Sequence, residues 1–574
     1  MGKRNALKIL IVALLFSCGH KNTTANSTNN ESTSANSKGL ISISNTLKEN
    51  SQLSIEKQIE LYYKLKKENP ESYNFDNEDE LTMYGYSFLW SNQVEEAIEI
   101  FKLIVAEFPE SSNPYDSLGE GYMVNGDMEL ALLNYEKSLE LNPDNFNAED
   151  QIERIKFPNK KQLTPAEKFV KVYSVQDYKD DLDQLGSKLL EVHPNALKFI
   201  AKDDFLNLIE TKKELITEST TFGDFIWHCS EIIASINCSH TSLGSFSQES
   251  TMISKPLVFP LQTRLVEGKL FVIDAMSNAD KVNIKDEITS INGVEVSKLV
   301  DDIFRHIESQ GYVQTSKVHF FNAWSTEMIP YALGFPESYS IKVNSKANPI
   351  VLKQTQTFKA PYADASIKKC ESNLCLEFLE NNDTAILTIS SFNFYPWNNL
   401  NEFETFIDKS FKKLKEQSTK NLIIDLRFNG GGSAESSIYL LKYLMNKPFT
   451  YFTDENIKPH ANPFNGQLYF LIDGNGKSTT GHFMALAKHH KLGTIVGEEL
   501  GSNQMCTAGQ TVCRLTNTKL VFYVANTESR LHGVELPDEK GILPHYQATQ
   551  NIDDYLNNVD TVKEFTISLI NSNQ

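Results

Sequence analysis

Cysteine is scarce in this chain, with seven in 574 residues and no CxxC pair among them. The spacing that builds structural zinc sites is missing, so no metal site is expected. Positive charge is in deficit as well. Lys and Arg total 55 against 74 Asp and Glu, a formal net charge of −19. With no basic excess to neutralise phosphates, nucleic acid is not an expected partner. The apolar run at the N-terminus, residues 9–16, is too short to span a bilayer. The Gly-rich stretch at Gly430–Gly432 is not followed by a P-loop lysine, which argues against a nucleotide site, and no cofactor is expected. What remains is an ordinary globular balance, 40% hydrophobic and 22% charged, in a chain too long for one core. Three or four domains are expected.

The N-terminus reads as an export signal. Lys3, Arg4 and Lys8 precede the short apolar run, which ends in Leu15-Phe16-Ser17-Cys18-Gly19. This resembles the bacterial lipoprotein signal, which implies removal of residues 1–17, lipidation of Cys18 and a membrane anchor on the periplasmic or cell-envelope side. Residues 18–50 include an Asn-, Ser- and Thr-rich stretch and are expected to form a disordered tether. In an exported protein the remaining cysteines can oxidise. Cys370 with Cys375, and Cys506 with Cys513, are each close enough in sequence to close a hairpin loop.

Residues 51–158 hold a repeat. Gly85 and Gly119, Ala97 and Ala131, Phe101 and Tyr135, and Pro109 and Pro143 are each 34 residues apart. Small residues at helix contacts, aromatics on a helix face and a closing Pro at that period resemble tetratricopeptide repeats. Helices are expected at 81–90, 93–107, 116–125 and 128–141. They would serve as a docking surface for a protein partner or as a spacer. Residues 164–245 keep a helical period and are expected to form a helical bundle. Residues 250–346 read as short strands with one helix at 297–308. Within them Asp286-Glu287-Ile288, then Ile291-Asn292-Gly293 and Val296, resemble part of a PDZ domain. That module would bind an extended peptide or act as a scaffold.

From residue 350 strands and helices alternate, which predicts an α/β core with a largely parallel sheet and ligands at the carboxyl ends of its strands. Two stretches fall there. In the first, the apolar run Leu422, Ile423, Ile424, Leu426 breaks into Arg427, Asn429 and Gly430–Gly432. Glycine after a buried strand allows close backbone approach, for phosphate, for an oxyanion or for a tight turn. The second places Ser478 after a strand-ending turn and at a helix start, where it is either an exposed nucleophile or a plain N-cap.

Together Asp425-Leu426-Arg427, Asn429 with Gly431-Gly432, and Ser478 followed by a helix and Ile495-Val496-Gly497-Glu498 resemble the tail-specific, or C-terminal-processing, serine peptidases. Gly541-Ile542-Leu543-Pro544 resembles the family's late signature, with His545 in place of its aspartate. The resemblance covers about 164–574. It implies a crotonase- or ClpP-like α/β catalytic domain at 350–574 and a polypeptide substrate. It also implies Ser478 as nucleophile, with Gly431 and Thr479 N–H groups as an oxyanion hole. Asn503 stands where the processing proteases carry their lysine base, which disfavours a Ser–Lys dyad. The tricorn-like branch uses a histidine from the preceding helical region and a late carboxylate. Here that implies His240, with Ser239 to orient it, and Glu539 or Asp538. His482, His489 and His490 are expected at the surface. The chain is thus read as multidomain: a helical repeat region, a helical bundle, a small PDZ-like β-rich module and an α/β peptidase domain.

Overall fold

The computed structural model describes residues 40–246, 248–249, 252–354, 372–379, 383–396 and 399–572. The signal at 1–17, Cys18 and Cys370 lie outside them. The chain divides into two compact units, at 1–162 and 163–574.

In the first unit seven helices run from Ile43–Glu49 to Phe146–Lys156. The four expected repeat helices are Glu78–Trp90, Val94–Glu107, Ser112–Asn125 and Met128–Leu141. The repeated glycines have one physical job. A Cβ on Gly85 would lie 2.5 Å from the Phe101 ring, and one on Gly119 would lie 3.0 Å from the Tyr135 ring. The helix pair therefore closes the same way twice. Residues 18–39 of the expected tether lie outside the described residues, and residues 43–49 form a helix. Ser42 caps the helix Ile43–Glu49, and Ile43 and Leu47 are buried with Tyr62 and Leu81.

In the second unit the helices Val175–Val192, Lys202–Leu215 and Phe222–Ala234 pack on the strands Gln262–Val266, Lys269–Asp274, Glu287–Ile291 and Ser340–Val343. An 18-residue helix not expected from the pattern, Thr315–Ala332, lies on the first strand. One core joins all of these: Tyr178, Phe225, Ile303, Phe321 and Ile341 lie in it together with Leu520 and Phe522 from the C-terminal part. The boundary expected near 245–250 is therefore not a break in packing.

The second core belongs to the α/β layer. Its sheet runs in the order Tyr546–Gln547, Thr494–Gly497, Gln467–Ile472, Asn421–Asp425, Thr384–Ile389 and Leu374–Phe378, parallel except for the last pair. All five residues of Asn421–Asp425 are buried, as its apolar run requires for a central parallel strand. Register pairs Leu471 with Asp425 and Ile472 with Gly497. The carboxyl ends of three strands, and the turns that leave them, thus meet at one edge. Two antiparallel ribbons follow: Met505–Ala508 with Thr527–Arg530, and Thr511–Arg514 with Val521–Val524.

Candidate active site

The strand Gln467–Ile472 ends at Asp473, whose carboxylate accepts from the Asn475 N–H at 3.0 Å and from the Phe428 N–H at 3.1 Å. One side chain thereby ties the nucleophile turn to the glycine turn. Ser478 follows at φ +56°, ψ −126°, immediately before the helix Thr479–His489. A β-carbon makes positive φ costly, so the surrounding structure must hold it there. Its side chain makes no capping hydrogen bond, so the hydroxyl is not spent on the helix end.

The glycine turn is locked onto this helix by Asn429. Its Nδ2 donates to Ile389 O at 2.9 Å, and its Oδ1 accepts from Thr480 Oγ1 at 2.8 Å and from Gly431 N at 2.9 Å. Gly431 lies so close that a Cβ would sit 2.7 Å from that of Ser478. Its N–H, expected to face an oxyanion, is thus already held by its own turn. The next residue presents the opposite edge. Phe392 N donates to Gly431 O and Ser433 N donates to Phe392 O, both on one side. By alternation Gly432 faces the other side, and its carbonyl accepts from Thr479 Oγ1 at 2.5 Å. The Gly432 N–H, with that of Thr479, is the amide on the serine side.

His240 lies in the turn beyond the helix Phe222–Ala234. That turn is held by Gln510 Nε2 on His240 O at 2.8 Å and by the backbone of Ser242 against Tyr523. Ser239 Oγ is 3.3 Å from His240 Nδ1. Burial and the nearby Lys477 push the ring down to about 4, so it is neutral above that pH. Ser478 and His240 are brought together, but through a third side chain. Cys506 Sγ lies 3.7 Å from Ser478 Oγ, and 3.8 and 4.0 Å from the His240 ring nitrogens. No direct Ser478–His240 hydrogen bond is present among the described residues. Cys506 is a thiol, not half of a hairpin disulfide with Cys513, and burial raises it to about 12. Cys375 is disulfide-bonded.

The expected carboxylates are not at the ring. Asp538 accepts from both Arg530 guanidinium nitrogens, from Lys198 and from Gln504. Partial burial works against it, but Arg530 and Lys198 hold its carboxyl below the usual range. Glu539 is fixed by its backbone, whose carbonyl accepts from Tyr312 N at 2.9 Å. Neither acts on the His240 pKa. Asn503 is structural, since its Nδ2 donates to the carbonyls of Pro537, Asp538 and Lys540. His489 and His490 are exposed as expected, but His482 is only 2% exposed, edge-on to Phe452. Burial, with His240 close by, lowers its pKa to about 4. His545 takes up the missing aspartate's place by binding Ile495 through both backbone and ring. Among the described residues no three His, Cys, Asp or Glu side chains are grouped to hold a metal.

What the comparisons support is a serine-type peptidase hydrolase. Residues 383–548 match the model of peptidase family S41. No curated protein sequence matches the chain. Several solved structures are similar, three of them as follows. Mature CPAF complexed with lactacystin is 12% identical, covering 69% of this chain and 97% of its own, with a TM-score of 0.48. The photosystem II D1 C-terminal processing protease is 12% identical over 66% and 96%, with a TM-score of 0.32. A peptidase from Parabacteroides merdae is 12% identical over 68% and 96%, with a TM-score of 0.38.

Proposed function

We propose that the protein cleaves polypeptides by acyl-enzyme chemistry, with Ser478 as nucleophile and His240 as base. The observation that carries this reading is Ser478 itself: positive φ, no capping bond, and a hydroxyl 3.7 Å from a thiol that also touches the His240 ring. Ser478 Oγ attacks the scissile carbonyl carbon and its proton passes to His240 Nε2, since Nδ1 is beside Ser239. Negative charge on the carbonyl oxygen falls to the Thr479 and Gly432 N–H groups, each donor worth roughly 3 kcal/mol. Collapse expels the amine with the proton from His240, and water then releases the acyl group by the same route in reverse.

The family match and the α/β sheet support a crotonase-like catalytic layer. The 34-residue helical repeat supports a tetratricopeptide surface for a protein partner. The hairpin at Asn292-Gly293 beside a short helix supports a PDZ-like module taking an extended peptide. Export, with anchoring at Cys18, rests on the lipoprotein-like N-terminus.

A second reading, a binding protein of the same fold with weak catalysis, is favoured because among the described residues there is no Ser478–His240 hydrogen bond and no carboxylate bonded to the ring. Labelling with a fluorophosphonate decides between them. Wild type is expected to label and Ser478→Ala to lose labelling by at least about 10⁴-fold. Equal labelling of the two removes Ser478 as nucleophile, and a wild type that stays unlabelled selects the binding protein.

A further inference from the structure

Resting on the serine-peptidase reading, we infer that Cys506 is a positioning residue that keeps the resting site open. Its thiol fills the interval between Ser478 Oγ and the His240 ring, and their direct hydrogen bond forms only when that thiol is turned aside.

The sulfur contacts are of unequal kinds. The thiol is a weak donor to Ser478 Oγ at 3.7 Å. Its distances to the two ring nitrogens, 3.8 and 4.0 Å, are nearly the same. A point equidistant from both nitrogens lies on the plane that bisects them, against the Cε1 edge or a ring face. It does not lie along the in-plane lone pair of either nitrogen. The thiol is therefore packed on the imidazole rather than relaying a proton to it. A Ser–His hydrogen bond needs about 3 Å between the heavy atoms; none is present among the described residues, and the sulfur is in contact with both groups.

The backbone carrying the wedge is fixed, while its side chain is held by weak sulfur contacts alone, to Ser478, the His240 ring and Thr507 O at 3.6 Å. Met505–Ala508 is paired residue for residue with Thr527–Arg530, and Met505 N donates to the buried Asn503 Oδ1 at 2.9 Å. On the other face of the strand Thr507 Oγ1 meets Cys238 Sγ at 2.9 Å. Cysteine is unbranched at Cβ, so rotation about χ1 alone withdraws the sulfur. Because a thiol bonds weakly, little is lost when it leaves. Substrate entering beside Ser478 is the event that turns it.

The experiment compares fluorophosphonate labelling rates of wild type, Cys506→Ala and Cys506→Val. In that reaction Ser478 Oγ bonds to phosphorus, fluoride departs and the proton passes to His240. Alanine removes the wedge and is expected to label about tenfold faster than wild type. Valine, of similar volume but branched, cannot vacate the interval by one rotation and is expected to label about tenfold slower. The pH at which labelling falls off in acid is expected to rise in the alanine variant, because water reaches the ring. Lys477, His482 and Cys238 face that region and are unchanged in all three proteins. A purely packing role would slow both variants and leave the acid limit in place. If wild type labels and folded Cys506→Ala is no faster, the positioning role alone is wrong. If none of the three folded proteins labels above Ser478→Ala, the nucleophile reading falls and takes this one with it. Should the alanine variant not melt cooperatively, a valine variant labelling as fast as wild type is sufficient to overturn the proposal.

Discussion

Two groups of polar side chains, one on the strand Asn421–Asp425 and its turn, the other around Ser478, are opposite in kind. Arg427 is 2% exposed and fully bonded: Nε and Nη2 reach Asp425 at 2.9 and 2.7 Å, while Nη1 and Nη2 reach Asp560, each at 2.7 Å. Burial works against its charge, but the two carboxylates hold its pKa above the ordinary value. Ser478, Cys506 and His240 are neutral and meet only through contacts of 3.7–4.0 Å. The charged set pins the strand Asn421–Asp425 to the C-terminal helix Thr561–Ser572 and has no freedom left to move a proton. The neutral set is under-bonded, and that is the condition for chemistry. The most conspicuous charges in the Asp-Leu-Arg motif are thus a fastening, and the groups proposed to react are the inconspicuous ones.

The comparison breaks most readily at Arg427. Replacing it by methionine leaves two carboxylates facing each other, one of them deeply buried, and is expected to cost about 3–5 kcal/mol in urea unfolding. A loss below 1 kcal/mol would mean that the network is not a fastening. Gly432→Ala comes next. Its φ is +144° and a Cβ would stand 2.0 Å from the Phe392 carbonyl carbon, so the turn must shift. Labelling of Ser478 is expected to fall about 10²-fold, the scale of one oxyanion donor. Unchanged labelling would place the donor elsewhere.

Acid sharpens the contrast further. Only neutral His240 can accept the serine proton, and its pKa is depressed to about 4. Labelling is therefore expected to be flat above pH 5 and to drop about tenfold per unit below 4. An inflection near 6.5 would show a ring in contact with water. The same sign applies to stability. His193, His228, His240 and His482 are all lowered to about 4 by burial, so the stability they contribute is complete above 6.5 and is lost as pH falls towards 4. The smallest effect belongs to Asp538→Asn. Its partners Lys198 and Arg530 are partly exposed, so the change is expected to stay within about 1 kcal/mol with labelling unaltered. A large loss of labelling would return Asp538 to the reaction.

Much of this architecture is readable from the chain, because repeated local constraints write it. The 34-residue spacing of Gly and aromatic residues, the apolar run at Asn421 and the strand–turn–helix around Ser478 each depend on neighbours in sequence. The parts that escape depend on distant ones. Which glycine amide faces the serine is decided by Phe392, nearly forty residues upstream, taking one edge of the turn. Cys506 suggested a hairpin disulfide because Cys513 is near in sequence, whereas its real neighbours are 28 and 266 residues away. His482 looked exposed because its helix carries two further histidines at its end, yet its own face turns inward. The helix and strand modules before residue 350 read as separate domains because nothing in their sequences shows that residues 513–525 complete their core.

That shared core has a consequence for the order in which the protein is made. His240 belongs to the early part of the unit and Ser478 to the late part. The strand between them, Met505–Ala508, acquires its pairing partner only when Thr527–Arg530 exists. Translation runs from the N-terminus, so a nascent chain carries the proposed base long before the proposed nucleophile, and both before the strand that pairs beside them. The reactive centre cannot assemble until nearly the whole polypeptide has been synthesised. On the proposed reading, the topology itself delays activity while the unfinished chain is its own nearest polypeptide.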